Sequence, residues 1–131
     1  MRPDVEAWLC AYLAVRFPDC EVGNREPDDL RLPLAEPLIV VRDDGGGGLE
    51  APTLDSSVGV SVLGGSLGNP GVVPTLARQV AAVLHSDAIA VAEGSPIAAV
   101  GRDGCFGPVE ATDQLDVSRR YVVAQYVIVE E

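Results

Sequence analysis

The residues best suited to chemistry are Gly64-Gly65-Ser66-Leu67-Gly68-Asn69-Pro70-Gly71. A glycine-rich turn between a strand and a helix can cradle an anion on backbone N–H groups at the helix N-terminus. The spacing is not GxGxxG, and Pro70 and Pro74 withdraw two of the donors an anion would need. All nine basic residues are arginine. A P-loop lysine, Schiff-base chemistry and any catalytic lysine are thereby excluded. The stretch is expected to be a plain strand-to-helix connection.

His85 is the single histidine. Its expected place is the end of a helix, where the dipole favours a cation, and that is a sufficient structural reason for it. No second histidine exists and no cysteine lies near it in sequence, so no metal site is expected. Ser56, Ser57, Ser61 and Ser66 form no GxSxG elbow. Asp43, Asp44 and Glu50 flank Gly45, Gly46, Gly47 and Gly48, but the DxDxDG order of a calcium loop is missing, so they read as solubilising charges. Cys10, Cys20 and Cys105 are odd in number and lack CxxC spacing, which fits reduced thiols. No catalytic residue, cofactor or metal ligand is assigned, and the chain is not expected to be an enzyme.

The elements around these residues follow from periodicity. Pro3 to Phe17 predicts a helix, with Pro3 at its first position, Asp4 and Glu6 at the positive end of the dipole, and Val5, Trp8, Leu9, Tyr12 and Leu13 in one apolar stripe. Cys20 to Arg25 can form a short strand, and Pro37 to Arg42 reads as a buried one. Asp43 to Glu50 is expected to be a mobile loop joining two strands as a hairpin, because four successive glycines maximise the entropy lost on ordering.

Leu54, Ser56, Val58, Val60 and Val62 alternate with Asp55, Ser57, Gly59 and Ser61, the period of a half-buried strand. Asn69 as N-cap and Pro70 at the first position then open a helix with Val73, Leu76, Ala77, Val80, Val83 and Leu84 on one face. Asp87 to Glu93 stays unassigned, Ile97 to Gly101 is a strand, and Asp103 to Ser118 is a long loop or a loose hairpin. In the closing strand, Arg119 to Glu130, Tyr121, Val123, Val127 and Val129 share one face and Val122, Ala124, Tyr126 and Ile128 the other. Only Gln125 interrupts the apolar character, which predicts a central strand or one at a subunit contact. The order is α-β-β-β-α-β-β: an α+β domain with two main helices on a largely antiparallel sheet.

A length of 131 residues suits one domain spanning 1–131, and an apolar share of 47% excludes disorder. The charge of −11 argues against gripping nucleic acid, whose phosphates are held mainly by cations. The opening residues carry acids where a signal peptide needs an apolar run. No window approaches the ~18 apolar residues of a membrane span. The chain is expected to be soluble, with no membrane partner.

Several stretches together resemble the tail-terminator (tail-completion, or neck) proteins of long-tailed phages, especially those infecting actinobacteria. They are the opening helix from Asp4 to Leu13, the strand Pro37 to Arg42 running into glycines, and the strand Val58 to Gly64 feeding the helix Leu76 to Leu84. The last is the strand Arg120 to Val129. The resemblance covers most of the chain and leaves 101–118 outside it. It implies a structural virion protein of the tail and neck, assembled in the host cytoplasm. Such a protein caps the tail tube as a homo-oligomeric ring of about six copies and joins it to the head connector. The implied partners are further copies of itself, the major tail tube protein and the head–tail connector proteins, while DNA passes an acidic lumen without specific binding.

Within that expectation, Asp43, Asp44, Gly45 to Gly48 and Glu50 are the candidate loop that orders on a partner. Tyr121, Val123, Gln125 and Val127 are the candidate subunit contact. Two other readings stay open: a head-completion or adaptor protein on the other side of the joint, and an acidic cytosolic binding module or inhibitor.

Overall fold

The two longest strands lie side by side and set the architecture. In the computed structural model, which describes residues 4–27, 32, 34–43, 54–111 and 115–129, β3 (Leu54–Gly64) pairs antiparallel with β6 (Ser118–Ile128) along its whole length. β2 (Leu38–Asp43) pairs antiparallel with the other edge of β3, and β1 (Glu21–Gly23) adds to β2 in parallel. On the far edge of β6 lie β4 (Ile97–Val100) and β5 (Phe106–Ala111), both antiparallel to it. The sheet order is β1-β2-β3-β6-β4, with β5 beside β6 off this path. β6 is therefore a central strand. The chain is a small α+β unit with helices packed on a mostly antiparallel sheet.

One sheet face is the core. Ile39 and Val41 of β2, Val58, Val60 and Val62 of β3, and Val122, Ala124, Tyr126 and Ile128 of β6 meet α1 (Val5–Arg16), α2 (Val73–Leu84) and α3 (Ala88–Val91) there. α2 contributes Val73, Leu76, Ala77, Val80, Ala81 and Leu84. Burying each of the larger side chains stabilises by about 1.5–3 kcal/mol. That outweighs the few tenths of a kcal/mol by which valine disfavours a helix, so packing decides that this segment is helical. Truncating Leu84, which is fully buried, would leave a cavity and cost about 2–5 kcal/mol.

α1 is shorter than the expected Pro3 to Phe17: it runs from Val5 to Arg16, with Phe17 as its C-cap. Asp4 is its N-cap, its Oδ1 accepting from the Ala7 N–H at 2.9 Å; the position of Pro3 lies outside the described residues. Trp8 and Tyr12 stack at 4.7 Å between ring centroids, and the Arg16 guanidinium sits 3.5 Å above the Tyr12 ring. Both rings are half-buried against the core, in keeping with a packing role.

The expected start of the second helix needs correction. Asn69 and Pro70 do not open it; the helix starts at Val73, with Val72 at the cap position and Pro74 in the first turn, where no N–H is required. The reason is local. Gly65 and Gly71 have φ of +57° and +61°, left-handed values that suit glycine and interrupt any helix. The residues between them close into a tight turn, Ser66 N–H donating to Asn69 O at 2.9 Å and Asn69 N–H to Ser66 O at 3.2 Å.

Further along, the unassigned 87–93 segment contains the single helical turn α3, and the last strand ends at Ile128, short of Glu130. Of the two expectations for 103–118, the hairpin is the observed one, because β5 pairs with the beginning of β6. No described helix is long and apolar enough to cross a membrane.

Candidate functional site

Among the described residues, no helix covers the opposite sheet face. Strand register places Leu38, Val40 and Arg42 of β2, Leu63, Ser61, Gly59 and Ser57 of β3, and Arg119, Tyr121, Val123, Gln125 and Val127 of β6 on it. One end carries a small second core of Leu38, Val40, Leu63 and Val117, with Leu32 and Leu34 packed on it. The register also puts Phe106 beside Val123 and Val109 beside Tyr121. Phe106 and Val109, with Val129 just beyond β6, are about half exposed.

The four candidate subunit-contact residues do share this face, but their surroundings differ. Val123 is buried, whereas Tyr121, Gln125 and Val127 are half-buried. Gln125 is engaged within the chain. Its carbonyl accepts from the Gly101 N–H at 2.7 Å, its N–H points to the Cys105 sulfur at 3.5 Å, and Gly104 lies so close over its amide that a Cβ there would collide. The turn at Arg102–Gly104 therefore caps this part of β6.

Beside the second core, the chain after β1 crosses the open face. Asn24, Arg25 and Glu26 face Arg42, Ser61 and Arg119 around a concavity of about 550 Å³ floored by Val40. Arg119 Nη2 donates to Glu26 Oε1 at 2.6 Å. Arg25 and Arg42 are exposed and, among the described residues, make no hydrogen bond or ion pair. Three of the nine arginines of an acidic chain thus converge on one hollow, where Glu26 is the one carboxylate among the described lining residues. Sequence reasoning missed this gathering. The available signal was parity: Arg42 falls out of phase with Ile39 and Val41, and Arg119 in phase with Tyr121, which puts both on the uncovered face.

The candidate partner loop is only partly placed. Asp44, Gly45 to Gly48 and Glu50 lie outside the described residues. Asp43 is corrected from loop to strand: it ends β2 on the helix side, where its Oδ1 accepts from the buried Ser56 hydroxyl at 2.7 Å. Its N–H donates to Glu6 Oε2 of α1 at 2.8 Å. These bonds hold Asp43 as an anchor for the strand end.

The glycine-rich turn is occupied by the chain's own groups. The Leu67 N–H donates to Asp116 Oδ1 at 3.0 Å, a carboxylate standing where a bound anion would. His85 is the C-cap of α2, and its Nε2–H donates to the Val123 carbonyl at 2.9 Å. The three cysteines are free and half-buried. Burial, then Glu6 and Asp4, push the Cys10 thiol up, and burial, then Asp19 and Glu36, do the same for Cys20, which disfavours the nucleophilic thiolate. Among the described residues, no three histidine, cysteine or acidic side chains gather as a metal site. No protein-family model matches the chain, and no curated protein matches it.

Proposed function

We propose that this chain is a structural protein of phage tail assembly, a tail terminator that closes the tail tube as a ring of about six copies and presents a surface to the head connector. The observation that supports this best is the sidedness of the sheet. One face is sealed by helices, while the other carries the half-exposed Phe106, Val109 and Val129 next to Tyr121 and Val127. Apolar side chains adjoining on one face are the usual mark of a surface that meets another protein. The sequence resemblance supplies the identity of that partner set: further copies of the chain, the tail tube and the connector. With −11 formal charges per copy, neighbours repel one another, so ring closure is favoured by salt or by the tube end as template. DNA passes through the acidic lumen without being gripped.

The test is to add the purified chain to tail tubes that lack it and image the mixture by negative stain. The reading expects a disc at one tube end and infectious particles once heads are supplied. Chain bound to heads and absent from tubes would transfer the role to the head side of the joint. Binding to neither would overturn the reading.

A further inference from the structure

Two cations of the arginine hollow, Arg25 and Arg42, lie toward one end of the strand order, and the exposed Asp103, beside Arg102, lies toward the other. β1 and β4 are the two ends of the strand order. Arg25 and Arg42 belong to the β1–β2 end, and the unpaired guanidiniums there are exposed. At the β4 end, the turn after the strand carries Asp103, which shares a shallow hollow with Gln125 and Val127 of the open face. Asp103 is exposed and, among the described residues, has no hydrogen-bond or ion-pair partner; Glu93, before β4, is in the same condition. By contrast, the neighbouring Asp87 is already paired with Arg102 at 2.8 Å.

We infer that the Arg25–Arg42 hollow receives the Asp103 corner of a second copy of this chain. The inference rests on the ring reading above and supplies its subunit contact. A ring requires a heterologous interface, in which two different patches of the same chain meet. Cations toward one end of the strand order and the free Asp103 carboxylate toward the other meet that requirement, because the same rotation that joins one pair leaves the complementary patches available for the next. Guanidinium is also the cation whose forked N–H groups match a carboxylate in two-bond geometry. In a chain that otherwise repels its copies, such a contact sets which edges approach and suppresses face-to-face pairing. Glu26 contributes by holding Arg119 at 2.6 Å, which keeps the hollow's third cation in place and leaves Arg25 and Arg42 to the incoming carboxylate.

Charge reversal tests this. Asp103→Arg and the double variant Arg25→Glu/Arg42→Glu are measured alone and mixed in equal amounts by sedimentation at one ionic strength, with circular dichroism as a check on folding. Each variant alone is expected to self-associate about tenfold or more weakly than the unaltered chain, since like charges now oppose. The mixture is expected to regain assembly, because each altered patch then faces an opposite charge. Rings that form unchanged in either variant would overturn the contact and leave the ring reading standing. An unaltered chain that stays monomeric at every concentration would overturn the contact as well, and binding to tail tubes would then decide the ring reading separately. Loss of assembly in both variants without recovery on mixing would also overturn it.

Discussion

Arg119 Nη2 lies 2.6 Å from Glu26 Oε1, joining the start of the central strand to a segment ninety-odd residues earlier. The bond crosses the sheet face that the helices leave open, and it holds the chain after β1 against that face. Both side chains are about one-fifth to one-third exposed, so solvent screens the pair and discounts its strength. Glu26→Gln is expected to lower stability by about 1 kcal/mol, read as a shift of the urea midpoint. A larger effect on self-association than on stability is expected too, because the hollow loses the partner that orders it.

Tyr126 is fully buried, and its hydroxyl donates to the Leu84 carbonyl at 2.7 Å at the end of α2. Burial, foremost, pushes the phenol far above the ordinary tyrosine range, since the phenolate would be desolvated. A group whose folded pKa is raised contributes stability that is complete below the unfolded value of about 10 and is lost as pH rises above it. Tyr126 therefore destabilises the fold only in alkali. Tyr126→Phe is expected to cost about 1–2 kcal/mol at neutral pH by leaving the Leu84 carbonyl short of a donor. It should also flatten the alkaline fall in stability. Urea melts across a pH series, with tyrosinate absorption followed alongside, check both.

Gly104 packs where any Cβ would meet the Gln125 amide and Cβ. Gly104→Ala is expected to destabilise by about 1–3 kcal/mol through overpacking. Adding Gln125→Ala should recover part of that loss by opening space, a coupling that thermal melts of the two single variants and the pair would measure. Equal and additive losses would contradict the contact.

The sequence made the strands legible wherever one rule dominated. Val58, Val60 and Val62 alternate, and Val122 to Ile128 read as buried on both faces; the structure pairs these two strands at the centre of the sheet. The start of α2 was less legible, because Asn69-Pro70 is a good local signal that Gly71 in a left-handed conformation overrides. β5 was hidden by Gly107-Pro108, residues that weaken strand propensity although the segment pairs with β6. The arginine hollow was the hardest to foresee. It joins residues from the segment after β1 and from β2, β3 and β6, which only tertiary structure brings together. At the glycine turn, Pro70 and Pro74 were legible as missing donors, whereas Asp116 on the Leu67 N–H was not.

Residues 44–50 follow the anchored Asp43 in sequence. On the reading that this segment serves a partner and not the fold, deleting Gly45 to Gly48 is expected to leave the thermal melt within about 0.5 kcal/mol of the parent. The yield of infectious particles should fall if the segment meets a partner, and an unchanged yield would reduce it to a linker.

The most direct test of the central claim is the mass of the chain in solution, by light scattering over a salt and concentration series, alone and with purified tail tubes. Negative-stain images of the same samples accompany it. The account predicts closed rings of about six copies, favoured by added salt and by the tube end. A monomer under every condition, with tube ends left bare, would contradict it.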